Sequence, residues 1–189
     1  MTRRRIGVLA LQGGFAAHAR AVEEIGASAV LVRTPADLAG AEALVLPGGE
    51  STVQLRLLAT SGLETPLREC VAAGRPVLAT CAGLILAASR VTDPAQRSFG
   101  WLDVGVSRNA WGRQVASFEA TSDDGAHPLV FIRAPRITSV GAGVEVLATF
   151  RGEPVLVRQG GVIGATFHPE LTEDRSIHRL AFDRALAPA

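Results

Sequence analysis

Three short segments of this sequence combine residue types that carry out acyl transfer. The first is Val77-Leu78-Ala79-Thr80-Cys81-Ala82-Gly83-Leu84. An apolar strand pattern runs straight into a helical one, with Cys81 at the junction and the small residues Ala79 and Gly83 two positions to either side. This is the logic of a nucleophile elbow, a sharp strand-to-helix turn with no room for bulk that leaves one reactive side chain exposed. The N-terminus of the following helix favours a thiolate at Cys81, and the amide of Ala82 is free to bind an oxyanion. The competing reading is a packed structural thiol, because cysteine is among the most buried residue types. Cys70, mid-helix in Arg68-Glu69-Cys70-Val71, is read in that second way.

A thiolate nucleophile is served by a base and a group that orients the base. Thr166-Phe167-His168-Pro169-Glu170-Leu171 contains both types. A residue before proline is biased toward extended geometry, and in an extended segment residues i and i+2 point the same way. His168 and Glu170 are therefore expected side by side, the carboxylate fixing the imidazole tautomer. A strand-end histidine with an incidental acid is the alternative. His18, His127 and His178 show no such arrangement. The third segment is Leu44-Val45-Leu46-Pro47-Gly48-Gly49-Glu50-Ser51-Thr52, another strand-to-helix turn. Its paired glycines permit positive φ and close approach to a ligand, Ser51 or Thr52 can cap the next helix, and exposed amides here can meet an oxyanion beside Cys81. A phosphate site competes, since glycine turns at helix starts bind anions, but there is no G-x-G-x-x-G and no lysine. A plain tight turn is the remaining reading.

These segments need a scaffold that ends several strands at one place. The first half supplies it: strands are expected over 5–11, 28–32, 43–46 and 76–79, and helices over 15–25, 52–59, 65–73 and 82–90. Gly26 and Gly74 are placed to end two of the helices. Alternating strands and helices, with nearly continuous apolar strands, imply a parallel sheet covered on both faces. The second half changes character. Strands expected over 104–108, 115–120, 130–133, 144–150 and 154–158 are separated by Gly, Pro, Asp and Asn, which suggests antiparallel hairpins added to the parallel core. A last apolar strand over 161–167 and a closing helix over 176–187 complete the chain. Residues 1–189 read as one α/β domain, without repeats, linkers or low-complexity segments.

Composition excludes several function classes. The 189 residues carry 19 Lys+Arg against 18 Asp+Glu, a net charge of +1. That balance argues against a nucleic-acid partner, which selects a basic excess. With 48% hydrophobic and 20% charged residues, the chain can build a core without disulfides or metals. Every basic side chain other than histidine is arginine, so neither a lysine imine nor a Walker lysine is available. Two cysteines form no disulfide framework, and four histidines without a cysteine cluster give no zinc pattern. A reducing, cytoplasmic setting follows. Arg3, Arg4 and Arg5 before an apolar run resemble a secretory n-region, but the run stops at Gln12, short of the ~7–15 apolar residues of a signal core. No stretch approaches the ~20 apolar residues of a membrane helix.

Taken together, Cys81 in its elbow, His168-Pro169-Glu170 and Pro47-Gly48-Gly49-Glu50-Ser51 resemble the class I, triad-type glutamine amidotransferases. Further segments narrow the resemblance: Gly7-Val8-Leu9-Ala10-Leu11-Gln12-Gly13, Arg108-Asn109-Ala110-Trp111-Gly112-Arg113-Gln114, Phe131-Ile132-Arg133-Ala134-Pro135 and Phe167-His168-Pro169-Glu170-Leu171-Thr172. With these the chain is similar, over nearly its whole length, to the glutaminase subunits of pyridoxal 5′-phosphate synthase. The Cys-Ala-Gly elbow and the Arg-Asn-Ala-x-Gly-Arg-Gln segment separate it from relatives serving histidine, tryptophan or purine synthesis, which carry Cys-Leu-Gly.

The resemblance implies a three-layer α/β fold, flavodoxin-like, with a mostly parallel central sheet, helices on both faces and added antiparallel strands. It implies that Cys81 is the nucleophile of a triad with His168 and Glu170, and that Gly49, Glu50, Ser51, Arg108, Ile132 and Arg133 contact L-glutamine. In the mechanism that follows, the amides of Gly49 and Ala82 form the oxyanion hole. No cofactor or metal is implied. The implied partner is a synthase subunit, in a complex of twelve synthase and twelve glutaminase chains, which receives the ammonia directly. The lysines for imine chemistry then belong to that partner. Three positions depart from the family pattern: Ala79 stands where glycine is usual, Val162 where asparagine is frequent, and Gly13-Gly14 replaces Gly-Ala. None removes a catalytic group. The competing functions are a glutamine amidotransferase for another pathway, a free-standing cysteine hydrolase on the same scaffold, and a non-catalytic subunit that binds glutamine.

Overall fold

In the computed structural model, residues 3–108 and 117–186 are described. Asn109, Ala110, Trp111, Gly112, Arg113 and Gln114 of the resemblance lie outside the described residues, as do the start of the strand expected over 115–120 and the last residue of the helix expected over 176–187.

The first half alternates as its pattern predicts: β1 (Arg5–Leu9), α1 (Phe15–Glu24), β2 (Ser28–Val32), β3 (Ala43–Leu46), α2 (Ser51–Ser61), α3 (Glu64–Ala72), β4 (Val77–Thr80) and α4 (Ala82–Ala87). A short 3-10 turn, Pro35–Leu38, lies between β2 and β3. The second half holds β5 (Ala88–Thr92), β6 (Leu102–Ser107), β7 (Ser117–Thr121), β8 (Pro128–Ile132), β9 (Arg136–Val140), β10 (Glu145–Phe150), β11 (Glu153–Gln159), β12 (Val162–Ala165) and α5 (Ser176–Leu186).

The central sheet has seven strands in the order β10-β11-β12-β4-β3-β1-β2. Five are parallel, running β2-β1-β3-β4-β12 across the sheet, which is the flavodoxin-like order. The pair β10–β11 extends one edge by antiparallel pairing through β12. Side chains along each parallel strand alternate between the faces. Leu44, Leu46, Val77 and Ala79 enter one core with Leu58, Leu63, Leu67 and Leu84 from the α2, α3 and α4 side. Ala43, Val45, Leu78, Ile6 and Val8 enter the other with Val22 of α1 and Ile177 and Phe182 of α5. Both faces are therefore dry, which is what lets these strands be continuously apolar.

Two smaller sheets flank the core. The hairpin β7–β8 is antiparallel and buries Leu129 and Phe131 against the α1/α5 side. The sheet β5-β6-β9 covers the other side with Val91, Leu102, Val104, Val106 and Ile137. It corrects the sequence expectation in three ways. The helix expected over 82–90 ends at Ala87 and the chain turns into β5, because Val91 and Thr92 pair with β6. That pairing is parallel, not a hairpin. Strand β9 has no counterpart among the expected strands: only Ile137 of its five residues is buried, so its sequence shows no alternation to read.

In open sheets of this order, ligands bind beyond the carboxyl ends of the strands near the point where the order reverses, here between β1 and β3. The loops leaving β1, β3, β4 and β12 carry Gln12, Gly48-Gly49, Cys81 and His168, so all three chemically suggestive segments end on one rim.

Candidate active site

Cys81 sits between β4 and α4 with φ 48° and ψ −105°, a backbone state that costs an L-residue about 1–3 kcal/mol. Neighbouring hydrogen bonds hold it there. Its N–H donates to the carbonyl of Ala165, at the end of β12, at 2.8 Å, and its carbonyl accepts from Ile85 N–H at 3.2 Å. The flanking residue Gly83 has to be small, since a Cβ there would collide with the Leu46 carbonyl of β3. At the other flank Ala79 is fully buried in the core, so the extra methyl relative to the family pattern is absorbed. Val162 opens β12 and is buried as well. Cys81 is 6% exposed, and its sulfur lies 4.0 Å from the Ile132 carbonyl oxygen. Cys70 is packed into the core, as its mid-helix position suggests, beside the Arg75 guanidinium.

His168 reaches the same place from β12. Its backbone N–H donates to the Val130 carbonyl of β8 at 2.8 Å. The preceding Phe167 is fully buried and meets Phe131 edge-on at 6.2 Å, an aromatic contact worth about 0.5–1.5 kcal/mol beyond area burial. Nδ1 of His168 lies 2.7 Å from Glu170 Oε1. The route to this contact differs from the extended geometry expected. Pro169 starts a 3-10 turn, Pro169–Leu171, and the turn rather than an i,i+2 strand face brings the carboxylate back under the ring. Proline suits that first position because it has no N–H to leave unpaired.

The electrostatics follow from this packing. Burial disfavours charge on His168, but the adjacent Cys81 sulfur and then Glu170 outweigh it and push the imidazole up to about 10. With Nδ1 bonded to Glu170, Nε2 is the nitrogen left to Cys81, and it makes no hydrogen bond among the described residues. Burial opposes ionisation of Glu170 too, yet neighbouring histidines and the hydrogen bond from His168 bring its carboxyl below the ordinary value. The arrangement is a sulfur nucleophile beside a basic imidazole, backed by a buried carboxylate.

A cleft of about 200 Å³ opens over the sulfur. Cys81 and His168 line it together with Gly49, Glu50 and Ser51 of the glycine turn. Arg108, Ile132 and Arg133 form the rest together with Ile85, which sequence reasoning did not single out. The turn at Gly48 needs a bare backbone: a Cβ there would collide with His168 Cε1 and stand 3.3 Å from Cys81 Cβ. Two side chains outside the predicted set fix this turn. Gln12 brackets Glu50, accepting from its N–H at 3.2 Å and donating to its carbonyl at 3.3 Å. Ser51 donates to Gln96 at 2.9 Å and is itself buried, so its hydroxyl is held by that bond. Glu50, not Ser51 or Thr52, caps α2 through its side chain. Its carboxylate also pairs with Arg108 Nη2 at 3.1 Å. Arg133, at φ 43°, is exposed at the mouth. Ala82 is buried as the first residue of α4, where helix N–H groups lack intrahelical acceptors.

Spacing in the sequence gives His18 and His178 no role, yet the structure places His18 beside Glu170 and His178 against His18. His18 Nε2 is 3.2 Å from Glu170 Oε2. No sequence spacing could reveal this, because α1 and α5 meet only in the fold. Among the described residues no group of three or more His, Cys, Asp or Glu side chains could hold a metal ion, and no helix is long and apolar enough to cross a membrane.

Comparison with known proteins identifies the family and the fold. The SNO glutamine amidotransferase family matches residues 8–185. A protein from Koribacter versatilis named pyridoxal 5′-phosphate synthase subunit PdxT is 53% identical over 180 residues, covering 93% of each chain. Its namesake from Desulforudis audaxviator is 49% identical over 184 residues, covering 95% of this chain and 97% of its own. A crystal structure described as a glutamine amidotransferase superposes with a TM-score of 0.88 at 45% identity, covering 95% of this chain and 98% of its own. A putative GMP synthase subunit from Thermoplasma acidophilum, at 15% identity and a TM-score of 0.70, covers 98% of this chain and 95% of its own and shares the fold.

Proposed function

The chain belongs to the SNO glutamine amidotransferase family, and from that premise we infer that it is a glutaminase that feeds pyridoxal 5′-phosphate synthesis. It hydrolyses L-glutamine to L-glutamate and ammonia, and its partner is the synthase subunit of that enzyme. We further propose that Cys81, His168 and Glu170 carry the reaction. The observation that supports this reading best is the buried His168–Glu170 pair at 2.7 Å beside a thiol held on a strained elbow in a cleft.

In the proposed mechanism the side-chain amide of glutamine lies over Cys81. The thiolate adds to the amide carbon, and the oxyanion is held by the backbone N–H groups of Gly49 and Ala82, donors that gain strength only as the negative charge develops. Protonated His168 gives its proton to the departing nitrogen, the C–N bond breaks, and ammonia leaves a glutamyl thioester on Cys81. His168, now neutral, takes a proton from water as the water attacks the thioester, and glutamate and the thiolate are released. Glu170 keeps the proton of the resting tautomer on Nδ1, so that Nε2 faces the chemistry. Gly49, Glu50, Ser51, Arg108, Ile132 and Arg133 bind the substrate. A guanidinium fork at Arg108 or Arg133 suits the α-carboxylate.

Ammonia is mostly protonated in neutral water and is then no nucleophile, so direct transfer to the synthase follows from the chemistry. We propose a complex of twelve of each subunit, residues 1–189 acting as one amidotransferase domain, and a cytoplasmic location. The last is in keeping with two unpaired cysteines. A glutamine-like electrophile, such as a diazoketone analogue, should label Cys81 rapidly with the synthase subunit present, read by peptide mass spectrometry. Labelling elsewhere, or none, contradicts the assignment.

A further inference from the structure

Two histidines that the mechanism does not use are buried against the proposed triad. His18 on α1 and His178 on α5 are fully excluded from solvent. Their rings lie 5.2 Å apart, with His18 Nδ1 3.0 Å from His178 Nε2. The other nitrogen of His18 faces two oxygens, Thr80 Oγ1 at 3.0 Å and Glu170 Oε2 at 3.2 Å. Thr80 precedes Cys81 in the chain, and Glu170 backs His168. One imidazole therefore touches both the strand end that presents the nucleophile and the acid that orients the base. Oε2 of Glu170 is buried and makes no hydrogen bond among the described residues: His18 Nε2 stands 3.2 Å away, but its hydrogen bond in this geometry is to Thr80 Oγ1.

The Thr80 hydroxyl can donate to His18 Nε2 or accept from it, so the unsatisfied Oε2 of Glu170 is what favours one direction for the chain. A carboxylate only accepts, and a neutral imidazole has one N–H and one lone pair. For His18 to satisfy Glu170, its proton must be on Nε2. Nδ1 is then an acceptor, so His178 must donate from its own Nε2. In the opposite tautomer Nε2 would accept from the Thr80 hydroxyl, leaving its lone pair 3.2 Å from a carboxylate oxygen and that oxygen without a donor. Doubly protonated rings are disfavoured by burial, which pushes His18 down to about 4 against the pull of Glu170, with His168 and Arg175 adding to the fall. Burial, with His18 next to it, pushes His178 down to about 3. The titratable and charged groups facing this pair are Glu170 and His168 after β12, and Asp174 and Arg175 before α5. At neutral pH the two rings form an uncharged, oriented donor chain that ends on Glu170.

We propose that His18, oriented by His178, is a positioning residue for the glutaminase reaction: its Nε2–H holds Oε2 of Glu170, so that Oε1 stays fixed on His168. This rests on the Cys81–His168–Glu170 assignment above. When His168 carries its proton, the carboxylate supporting it cannot rotate away, and the imidazolium needed to expel ammonia is kept in place.

The test compares His18→Leu, which removes the donor, with His18→Gln, whose side-chain NH₂ can reach the position of Nε2. Both are assayed with the synthase subunit, beside Cys81→Ala. Loss of a hydrogen bond to an ionised group predicts kcat about tenfold or more lower in His18→Leu, with KM within about twofold, and the alkaline limb of kcat/KM about one unit lower. His18→Gln should recover most of the rate and the limb. Two slow variants with an unmoved pH profile would make His18 a packing residue and overturn the proposal, as would an unimpaired His18→Leu. If neither variant folds, nitrogen NMR of the wild-type histidines decides it: neutral rings protonated at Nε2 are expected for His18 and His178, and a proton on His18 Nδ1 overturns the proposal. Activity surviving in Cys81→Ala would remove the triad and this inference with it. An inert Cys81→Ala beside unshifted His18 variants removes this inference alone.

Discussion

Replacing Glu170 by glutamine changes one oxygen to NH₂ and removes one charge, in a site where the side chain is only 1% exposed. The structure leaves the amide no good orientation. With its oxygen toward His168 Nδ1, its NH₂ points at His18 Nε2, 3.2 Å from that position and a donor in the tautomer proposed above. With its oxygen toward His18, the NH₂ faces His168 Nδ1 and drives the imidazole into the tautomer whose lone pair turns away from Cys81. A hydrogen bond to a charged partner contributes about 1.5–3 kcal/mol, and about 1.4 kcal/mol is a factor of ten in rate. The minimum expectation is therefore a fall of about 10- to 100-fold in kcat/KM, carried by kcat because Glu170 does not line the cleft. The assay is glutamate formation by the chain together with the synthase subunit, across pH 6–10. Circular dichroism checks that the fold survives. The alkaline limb set by His168 should also move to lower pH. A Glu170→Gln variant within about threefold of wild type, folded and with an unmoved limb, would refute the reasoning.

Two other predictions rest on the same groups. Arg108→Ala removes a guanidinium that lines the cleft and pairs with Glu50 at 3.1 Å. Losing a charged hydrogen bond to the substrate carboxylate should raise KM about tenfold or more, with kcat much less affected, and an unchanged KM in steady-state assays counts against the role given to it. Stability should peak near neutral pH. His168 is raised to about 10, so its contribution is complete below its unfolded value of 6.5 and is lost as pH rises toward 10. His18 and His178 are lowered to about 4 and about 3, so below pH 6.5 the unfolded chain takes up protons that the folded one refuses, and stability falls with pH. Each such group contributes a slope of at most about 1.4 kcal/mol per pH unit. Denaturant midpoints from pH 4 to 10 check this, and Cys81→Ala, lacking the largest influence that raises His168, should flatten the alkaline side.

Much of this architecture could be read from local pattern. Strands β2 and β3 match their expected bounds to the residue, because both are short apolar runs closed by turn residues, Gly26 before the one and Pro47-Gly48-Gly49 after the other. The elbow was legible because sterics restrict what can flank Cys81, and Gly83 under Leu46 is that restriction made visible. The errors have physical causes. Residues 82–90 are rich in good helix formers, and only long-range pairing with β6 turns Ala88–Thr92 into a strand. Edge strand β9 buries one residue and so leaves no period to detect. His168 and Glu170 meet, but through a proline-started turn. His18 and His178 are invisible to any spacing argument, since their contact spans 160 residues of chain. Gln12 and Gln96, which brace the glycine turn and Ser51, are likewise set by tertiary contact alone.

The central claim is that Cys81 hydrolyses glutamine in the service of a synthase subunit. Ammonia release from glutamine, measured for the wild-type chain and for Cys81→Ala, each with and without a pyridoxal 5′-phosphate synthase subunit, tests it most directly. The account predicts strong activation of the wild type by the synthase and no turnover by Cys81→Ala in either condition. Turnover by Cys81→Ala would contradict the chemistry, and a wild-type rate indifferent to the synthase would contradict the partnership.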